Sequence, residues 1–434
     1  MIITRSLIII ICQRSVQALL GILTAFFIAN YMSPIEQGWY YTFLSISSLY
    51  VVFELGVSLA LIQASSQLFV NLRWSKYGNI IGKNLSDFIS LIKASLKYYA
   101  KVSVIFFISI TFCGFYYFSL YKNYEEIFWH TPWFLLIFLI GINLITIPIL
   151  AIMEGSGQIS EVYIVRFFQN LIGSIMCWVT LANGGGLFCI LMIPLFSLIV
   201  FIFWIIFKKI ILLKIIFNYK NIKKYNWSMN IKSFQSKIAI SWVSLYSMVQ
   251  LIVPIVFYFM GPVISGQIGL SLAIANMIGI LSNSWITRNV PLLSKSVFLK
   301  NWKLFDNTFR NDLYHSIIFF ILIGLLTVIG YKIIFSIFFT DRVLSTENFI
   351  YLLVYFFFYY LNNSFAIHLR SYKKEPLVWL FLFGAITNTL FISLFAFIES
   401  LELILYSICI IQIFIITPAA FYLWNKNNLS LRKG

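Results

Sequence analysis

The chain has 434 residues, of which 61% are hydrophobic, 19% aromatic and only 10% charged, and its formal net charge is +17. So apolar a composition excludes a water-soluble globular protein. The basic excess would point to nucleic acid in a soluble chain, but here Lys and Arg are spread through short loops that set topology and face anionic lipid, and nucleic-acid binding is set aside.

About twelve apolar runs of about 20 to 26 residues follow one another, each long enough to cross a hydrocarbon core about 30 Å thick. These spans 1 to 12 lie near 7–31, 39–64, 96–119, 132–153, 162–182, 186–206, 237–260, 265–288, 313–338, 348–369, 377–398 and 402–424. With the amino terminus in the cytoplasm, the even-numbered gaps hold Arg73, Lys76, Lys83 and Lys93, then Lys208, Lys209, Lys214, Lys220, Lys223, Lys224 and Lys232. Further even gaps hold Lys295, Lys300, Lys303 and Arg310, and Arg370, Lys373 and Lys374, whereas the odd gaps hold little beyond Lys122 and Arg342. This positive-inside bias places both termini in the cytoplasm. The predicted fold class is an all-α membrane protein.

The start, MIITRSLIIIIC, has the look of a secretory signal, yet it lacks a small-residue cleavage site and its apolar run continues past Cys12 to Asn30. It therefore reads as span 1. Arg14 lies about two turns into that helix, beside Gln13 and Gln17, and Glu54 lies deep in span 2, on one face with Ser47, Tyr50 and Ser58. A charge within the hydrocarbon costs about 2.5–3.5 kcal/mol on insertion scales, so each needs a partner or a wet cavity. An Arg14–Glu54 pair is within geometric reach. Two readings stay open: a clamp between helices, or a cavity in which Arg14 meets an anionic head group while Glu54 positions it or carries a coupling proton.

Span 5 carries Arg166, Asn170 and Ser174 in one stripe. Span 7 presents Ser241, Ser244, Ser247 and Gln250, with Pro254 expected to kink it. Span 8 carries Asn276, Asn283 and Thr287 and ends at Arg288. Both arginines would be explained equally by snorkelling to lipid phosphate. Gln250, Asn276 and Asn283 suit hydrogen bonding to sugar hydroxyls as well as plain helix packing. Trp39, Tyr40, Tyr41, Trp129 and Trp133 read as interfacial anchors, and YFFFYYLNN (355–363) as lipid-facing or packing material.

The loops and reactive residues exclude several functions. The outer gaps, such as SPIEQG (33–38), NGGG (183–186) and ESLE (399–402), are too short for a catalytic domain, and no GxxxxGK[ST] sequence is present. His130, His315 and His368 belong to separate segments, and none sits in a nucleophile–base constellation. Cys12, Cys113, Cys177, Cys189 and Cys409 lie in or beside apolar runs without a CxxC, so neither a disulfide frame nor a metal site is expected. The chain reads as a non-enzyme without a cofactor, and H⁺ or Na⁺ coupling stays open.

An internal repeat gives the plan. SPIEQGWYYTFLSISS (33–48) aligns with GPVISGQIGLSLAIAN (261–276) at constant offset, matching Pro34 to Pro262 and Gly38 to Gly266. Later, 150–170 corresponds to 365–388, each a hydrophilic elbow between two spans, ending at Asn170 and Asn388. An even number of helices per half makes this a same-orientation repeat, two six-helix lobes related by a pseudo-two-fold axis along the membrane normal. The expected organisation is an N-lobe over 1–206, a basic linker over 207–236 and a C-lobe over 237–434.

The segment 33–67, the EGSGQ elbow at 154–158, the stretch 242–270 and HLRSYKKEPL (368–377) together resemble polysaccharide-unit flippases of the Wzx type. That group sits in a larger superfamily with multidrug and toxin extrusion (MATE) transporters and lipid II flippases, the MOP superfamily. The resemblance implies a V-shaped MATE-like bundle working by alternating access in a bacterial inner membrane. The implied cargo is an undecaprenyl-diphosphate-linked oligosaccharide of O-antigen or capsule, turned from the cytoplasmic to the periplasmic leaflet. Polymerase and chain-length proteins of the same route would be its partners, beside membrane lipid. Arg14, Gln17, Glu54, Arg166, Gln250, Asn276, Asn283 and Arg288 are the expected cargo-binding residues. A cation-coupled drug or metabolite exporter of the same superfamily is the alternative, kept open by Glu54.

Overall fold

The computed structural model describes residues 5–75, 80–82, 85–121, 127–218, 232–335, 341–372 and 374–433. Lys76, Lys83, Lys122, Lys220, Lys223, Lys224 and Lys373, and residues 219–231 of the basic linker, lie outside them. The chain is all-α, with eleven helices among the described residues long and apolar enough to cross a membrane, or twelve when the bent pair in span 2 counts as one. It is a multi-pass membrane protein. Helices dominate because a backbone that meets hydrocarbon must satisfy its own N–H and C=O groups.

The spans follow the apolar runs closely. Span 1 is the helix Arg5–Tyr31, span 3 Leu85–Ser119, span 4 His130–Gly155, span 5 Ile159–Ala182 and span 6 Cys189–Lys208. Span 8 is Pro262–Arg288, span 9 opens with Trp302–Gly330, and spans 10 and 11 are Thr346–Arg370 and Val378–Phe397. Span 12 joins Leu401–Ile410 to Thr417–Lys433 through a π-helical stretch, Ile411–Ile416. The span 3 helix has 35 residues, about 50 Å at 1.5 Å per residue, so it extends well beyond the hydrocarbon. Its added turns carry Ser86, Asp87 and Lys93, residues suited to water and head groups.

Two spans are broken. Span 7 divides at Leu251 into Lys232–Gln250 and Ile252–Met260. The expected kink at Pro254 accounts for this, since Pro254 has no N–H to give the carbonyl one turn back. Span 2 is not one helix, so the single polar face expected through Ser47, Tyr50, Glu54 and Ser58 is interrupted. It runs Pro34–Ser47, a short turn Tyr50–Glu54, then Val57–Leu68, with a 41° bend. At the break Leu55 and Gly56 are both left-handed, with φ of 53° and 67°. For Leu55 that conformation costs about 1–2 kcal/mol.

The chain forms two compact units, one of 1–31 and 46–235, the other of 32–45 and 236–434. The first half of span 2 thus packs with the second unit. In the first unit Leu61, Phe88, Leu91, Tyr99 and Val162 form a core. It is closed at the basic-loop end by a hairpin of β1 (Leu72–Trp74) and β2 (Ile80–Gly82). In the second unit Ile286, Leu293, Phe305, Phe309 and Phe381 form another core.

The aromatic residues expected as interfacial anchors are buried instead. Trp39 and Trp133 are fully enclosed, and Tyr40, Tyr41 and Trp129 nearly so. Trp39 meets the Phe257 ring edge-on at 5.0 Å, and Trp133 lies against Gly114 of the neighbouring helix. Glycine opposite an indole ring lets two helices close around it, and that fixes burial more strongly than the ring's place near a span end.

Within the second unit the two repeat motifs meet each other. Pro34 and Pro262 each begin a helix, where a missing N–H costs nothing. A capping box secures the first: Ser33 N–H donates to Glu36 at 2.8 Å, and Glu36 N–H to the Ser33 hydroxyl at 3.2 Å. A Cβ on Gly38 would fall on the backbone of Pro262, and one on Gly266 would press the backbone of Gly38. Such an approach admits no side chain. Gly38→Leu and Gly266→Leu are expected to cut the monodisperse yield in detergent severalfold. Gly324→Ala, where a Cβ meets nothing within 4 Å, should match the wild type in the same size-exclusion profile.

Candidate functional site

The polar residues within the spans fall into separate groups in each unit. In span 1 Gln13 is buried and its amide donates to Gln17 at 3.0 Å. Arg14 and Gln17 are exposed on the same stretch of helix. Glu54 is buried at the break of span 2. Its carboxylate accepts from the Tyr99 hydroxyl at 3.3 Å and from the Ser58 N–H at 3.3 Å. Ser58 stands in the first turn of the helix that restarts after the break, where backbone N–H groups have no helical partner. Glu54 therefore caps that helix with a negative charge, the sign its N-terminus favours.

Arg166 is held within the elbow of spans 4 and 5. It pairs with Glu154 at 3.2 Å and lies 5.1 Å over the Tyr163 ring, while the Tyr163 hydroxyl reaches Glu154 at 3.5 Å. A second pair closes the basic-loop end of the same unit: buried Lys209 meets Glu161 at 2.8 Å, and the Trp204 indole donates to Glu161 at 2.8 Å. Lys209 also stands 5.0 Å over Trp74 of the hairpin, whose indole donates to the Ser156 carbonyl at 3.1 Å.

In the second unit the amides named from the sequence sit among tyrosines. Gln250 accepts from Ser45 at 3.4 Å, and the Tyr246 hydroxyl donates to the Ser45 carbonyl at 2.6 Å. Asn276 accepts from Tyr360 at 2.7 Å, and Asn283 from Ser364 at 3.4 Å. Tyr355 and Tyr359 donate to the Met248 and Leu245 carbonyls at 3.0 and 3.1 Å. These two carbonyls lie just before the span 7 break. The 355–363 stretch thus packs span 10 on span 7 rather than facing lipid along its length. A small cleft of about 10 Å³, room for one water-sized group, is lined by Ser282, Ser316, Tyr360 and Ser364.

Arg288, half-exposed at the end of span 8, lies 4.9 Å over the Trp285 ring and 3.9 Å from Asp312 of span 9. Asp312 is buried and accepts from the Asn289 amide through both oxygens at 2.9 Å. His315 stacks on the same Trp285 at 5.4 Å. At the other end of the unit Gln37 donates to the Gly266 and Arg342 carbonyls at 2.9 and 2.7 Å. Partial burial holds the Arg342 guanidinium below its ordinary value, opposed by the nearby Asp341 and Glu36 carboxylates.

Sequence reasoning did not find the strongest polar knot. Glu375, in the elbow after span 10, is buried and takes a two-pronged grip from Arg370 at 2.6 and 2.7 Å. The Ser241 hydroxyl donates to the same carboxylate at 2.8 Å and is itself reached by Arg370 at 3.2 Å. His368, also buried, accepts from the Trp424 indole at 3.1 Å and lies between the Phe305 and Phe309 rings. Ser241 was legible only as one of a serine stripe.

No protein-family model matches the chain, and no curated protein matches it. Solved structures do. A lipid II flippase, MurJ, in an inward closed conformation is similar over 98% of this chain and 89% of its own, at 13% identity and a TM-score of 0.65. A MATE multidrug transporter, DinF-BH, is similar over 97% and 94%, at 14% identity and a TM-score of 0.64. A MOP-superfamily transporter from Pyrococcus furiosus Vc1 (DSM3638) is similar over 98% and 95%, at 12% identity and a TM-score of 0.58. The chain has the fold these transporters share, that of the MOP superfamily.

Removing Glu375 leaves Arg370 with an uncompensated charge in a packed elbow. Glu375→Ala is expected to destabilise by about 3 kcal/mol, and Ser241→Ala by about 1 kcal/mol. Thermal unfolding in detergent would rank the two, and equal midpoints would contradict the knot.

Proposed function

We propose that the protein is a flippase for undecaprenyl-diphosphate-linked oligosaccharide units, of O-antigen or capsule, in a bacterial inner membrane, working by alternating access. The observation that carries this reading is an exposed guanidinium in each unit: Arg14 within span 1 and Arg288 at the end of span 8. An exposed guanidinium suits an anionic ligand. A diphosphate supplies the anion, and its polyprenyl tail can stay in the bilayer. The full-length likeness to a lipid II flippase and the Wzx-like segments support the same cargo class. A related transporter from Pyrococcus is described by the reverse polarity of its binding pocket. The residues, more than the fold, must therefore tell the sign of the cargo, and here they are basic.

In this reading Arg14 of the first unit and Arg288 of the second each offer a cation to a diphosphate. Gln17, Gln250, Asn276 and Asn283 offer amides to sugar hydroxyls, and Arg166 holds the elbow of spans 4 and 5. The organisation proposed is an N-lobe, a basic linker and a C-lobe of six spans each, with polymerase and chain-length proteins acting next on the unit. One observation favours the alternative, a cation-coupled exporter: Glu54 is a buried carboxylate beside Tyr99 at a helix break, where taking up a proton would loosen a cap.

Deleting the gene is expected to trap completed undecaprenyl-linked units on the cytoplasmic leaflet, with rescue by the wild type. Arg14→Ala and Arg288→Ala should each lower rescue at least tenfold while membrane levels hold. Units reaching the periplasm normally in the deletion strain would end the flippase reading. Glu54→Gln keeps acceptors for Ser58 and Tyr99, so folding should persist. Lost gradient dependence in that variant, with transport of a soluble substrate, would favour the exporter.

A further inference from the structure

We infer that the basic-loop ends of spans 8 and 9 form a binding site for a lipid phosphate, with Arg288 and His315 meeting the phosphate over Trp285. The lipid's hydrocarbon would lie along the face of span 9 that carries Leu322, Leu326 and Ile329.

The depth of the cluster comes from the sequence. Span 9 opens with Trp302, Lys303, Asp306, Asn307, Arg310 and Asn311, and from Ile317 to Gly330 it is apolar but for Thr327. Asp312 to Ser316 therefore lie at the polar–apolar boundary, the level of head-group phosphates. Tyr314, 63% exposed, is an aromatic of the kind that sits there. The short helix Val290–Phe298 that joins spans 8 and 9 ends with Phe298 and its cap Leu299, 86% and 61% exposed beside Lys300, an arrangement suited to lipid.

The geometry leaves donors for an anion. Asp312 is already bonded twice by Asn289, and Arg288 stands at the edge of ion-pair distance from it with 38% of its side chain exposed. The guanidinium is oriented by Trp285, and the His315 ring stacks on the same indole. His315 Nδ1 is 2.6 Å from the Asn311 carbonyl and donates to it, so Nε2 is left for a ligand and donates to a phosphate oxygen when the ring carries its second proton. Asp312 lies within electrostatic reach of both Arg288 and His315. With Asp312 already held by Asn289, the flat guanidinium fork of Arg288 suits phosphate oxygens.

The tail has its own surface. Leu322, Leu326 and Ile329 are 56%, 68% and 57% exposed and fall on one helical face with His315. A phosphate at His315 thus continues into hydrocarbon along a straight apolar strip. Two sources carry that chemistry: a resident phospholipid, and the diphosphate of a polyprenyl carrier. The second rests on the flippase reading above, whereas the first stands without it.

The test is lipid retention by the purified full-length protein in detergent, measured by native mass spectrometry with phosphatidylglycerol, undecaprenyl diphosphate and diacylglycerol as probes. Phosphate-bearing lipid should be retained and diacylglycerol released. Arg288→Ala should weaken retention about tenfold and His315→Ala about threefold, the size of charge-assisted hydrogen bonds lost. Arg288→Lys keeps the charge without the stacked fork and should fall between. Equal retention of both phosphate lipids assigns the site to phospholipid, and retention of undecaprenyl diphosphate alone assigns it to the carrier. Diacylglycerol held as firmly as the phosphate lipids, or unchanged retention in variants that elute like wild type, overturns the site. His315 is exposed, so its variant keeps the test open should Arg288→Ala fail to fold. Retention needs no transport, so this result and the leaflet assay can fail separately.

Discussion

Backbone hydrogen bonding in a solvent that offers none is the constraint on which the rest of this structure depends. In hydrocarbon each unpaired N–H or C=O costs several kcal/mol, so every departure from helix needs a substitute partner. Span 2 departs most, with two left-handed residues at Leu55 and Gly56. Glu54 supplies the substitute by accepting the Ser58 N–H. Its burial and its charge then follow from one task, since the restarted helix presents positive N–H groups to it. Tyr99 from span 3 completes the carboxylate's bonding and ties the break to its neighbour. In span 7 the tyrosine hydroxyls of span 10 add a tie between helices. They donate to carbonyls just before the turn that Pro254 disrupts.

The spans were legible because a bilayer imposes a length on apolar runs, and the observed helices keep to it. Polar pairing was much less so. Arg370 ends span 10, Glu375 lies in the elbow after it, and Ser241 comes from a distant span, so no helical period relates them. Arg288 and Asp312 meet across two helices with a short helix between them in the chain. The break in span 2 is only half marked in the sequence: Gly56 suits a left-handed turn, but Leu55 does not. The aromatic residues failed for another reason: Trp39 and Trp133 lie near span ends, yet Gly114 opens a berth for Trp133 inside and Trp39 packs on the Phe257 ring. Hydropathy reports depth along the membrane normal and says nothing of which way a side chain faces.

The internal repeat was read from two prolines and two glycines, and in the structure those four residues share a purpose. Both helices start at proline, and one turn later both backbones come together at Gly38 and Gly266. The elbows show a different kind of repetition. In the first, Glu154 ends span 4 and Arg166 lies within span 5; in the second, Arg370 ends span 10 and Glu375 lies in the elbow. The order of charges is reversed while the acid–arginine bond at the turn is kept. Such a pair ties two helix ends where the chain leaves the hydrocarbon, and its sign order is free as long as both charges are satisfied.

Charge pairing also separates the arginines by what they can do. Arg370 spends its fork on a buried carboxylate and a serine, so little of it remains for a ligand. Arg166 is divided between Glu154 and the Tyr163 ring. Arg288 is different: its nearest carboxylate is 3.9 Å away and is bonded twice by Asn289. A guanidinium steered by an indole but loosely held by its acid is set up to exchange partners. An anion that arrives there displaces little and gains a planar donor pair, which is the economy a phosphate-carrying lipid needs at a protein surface.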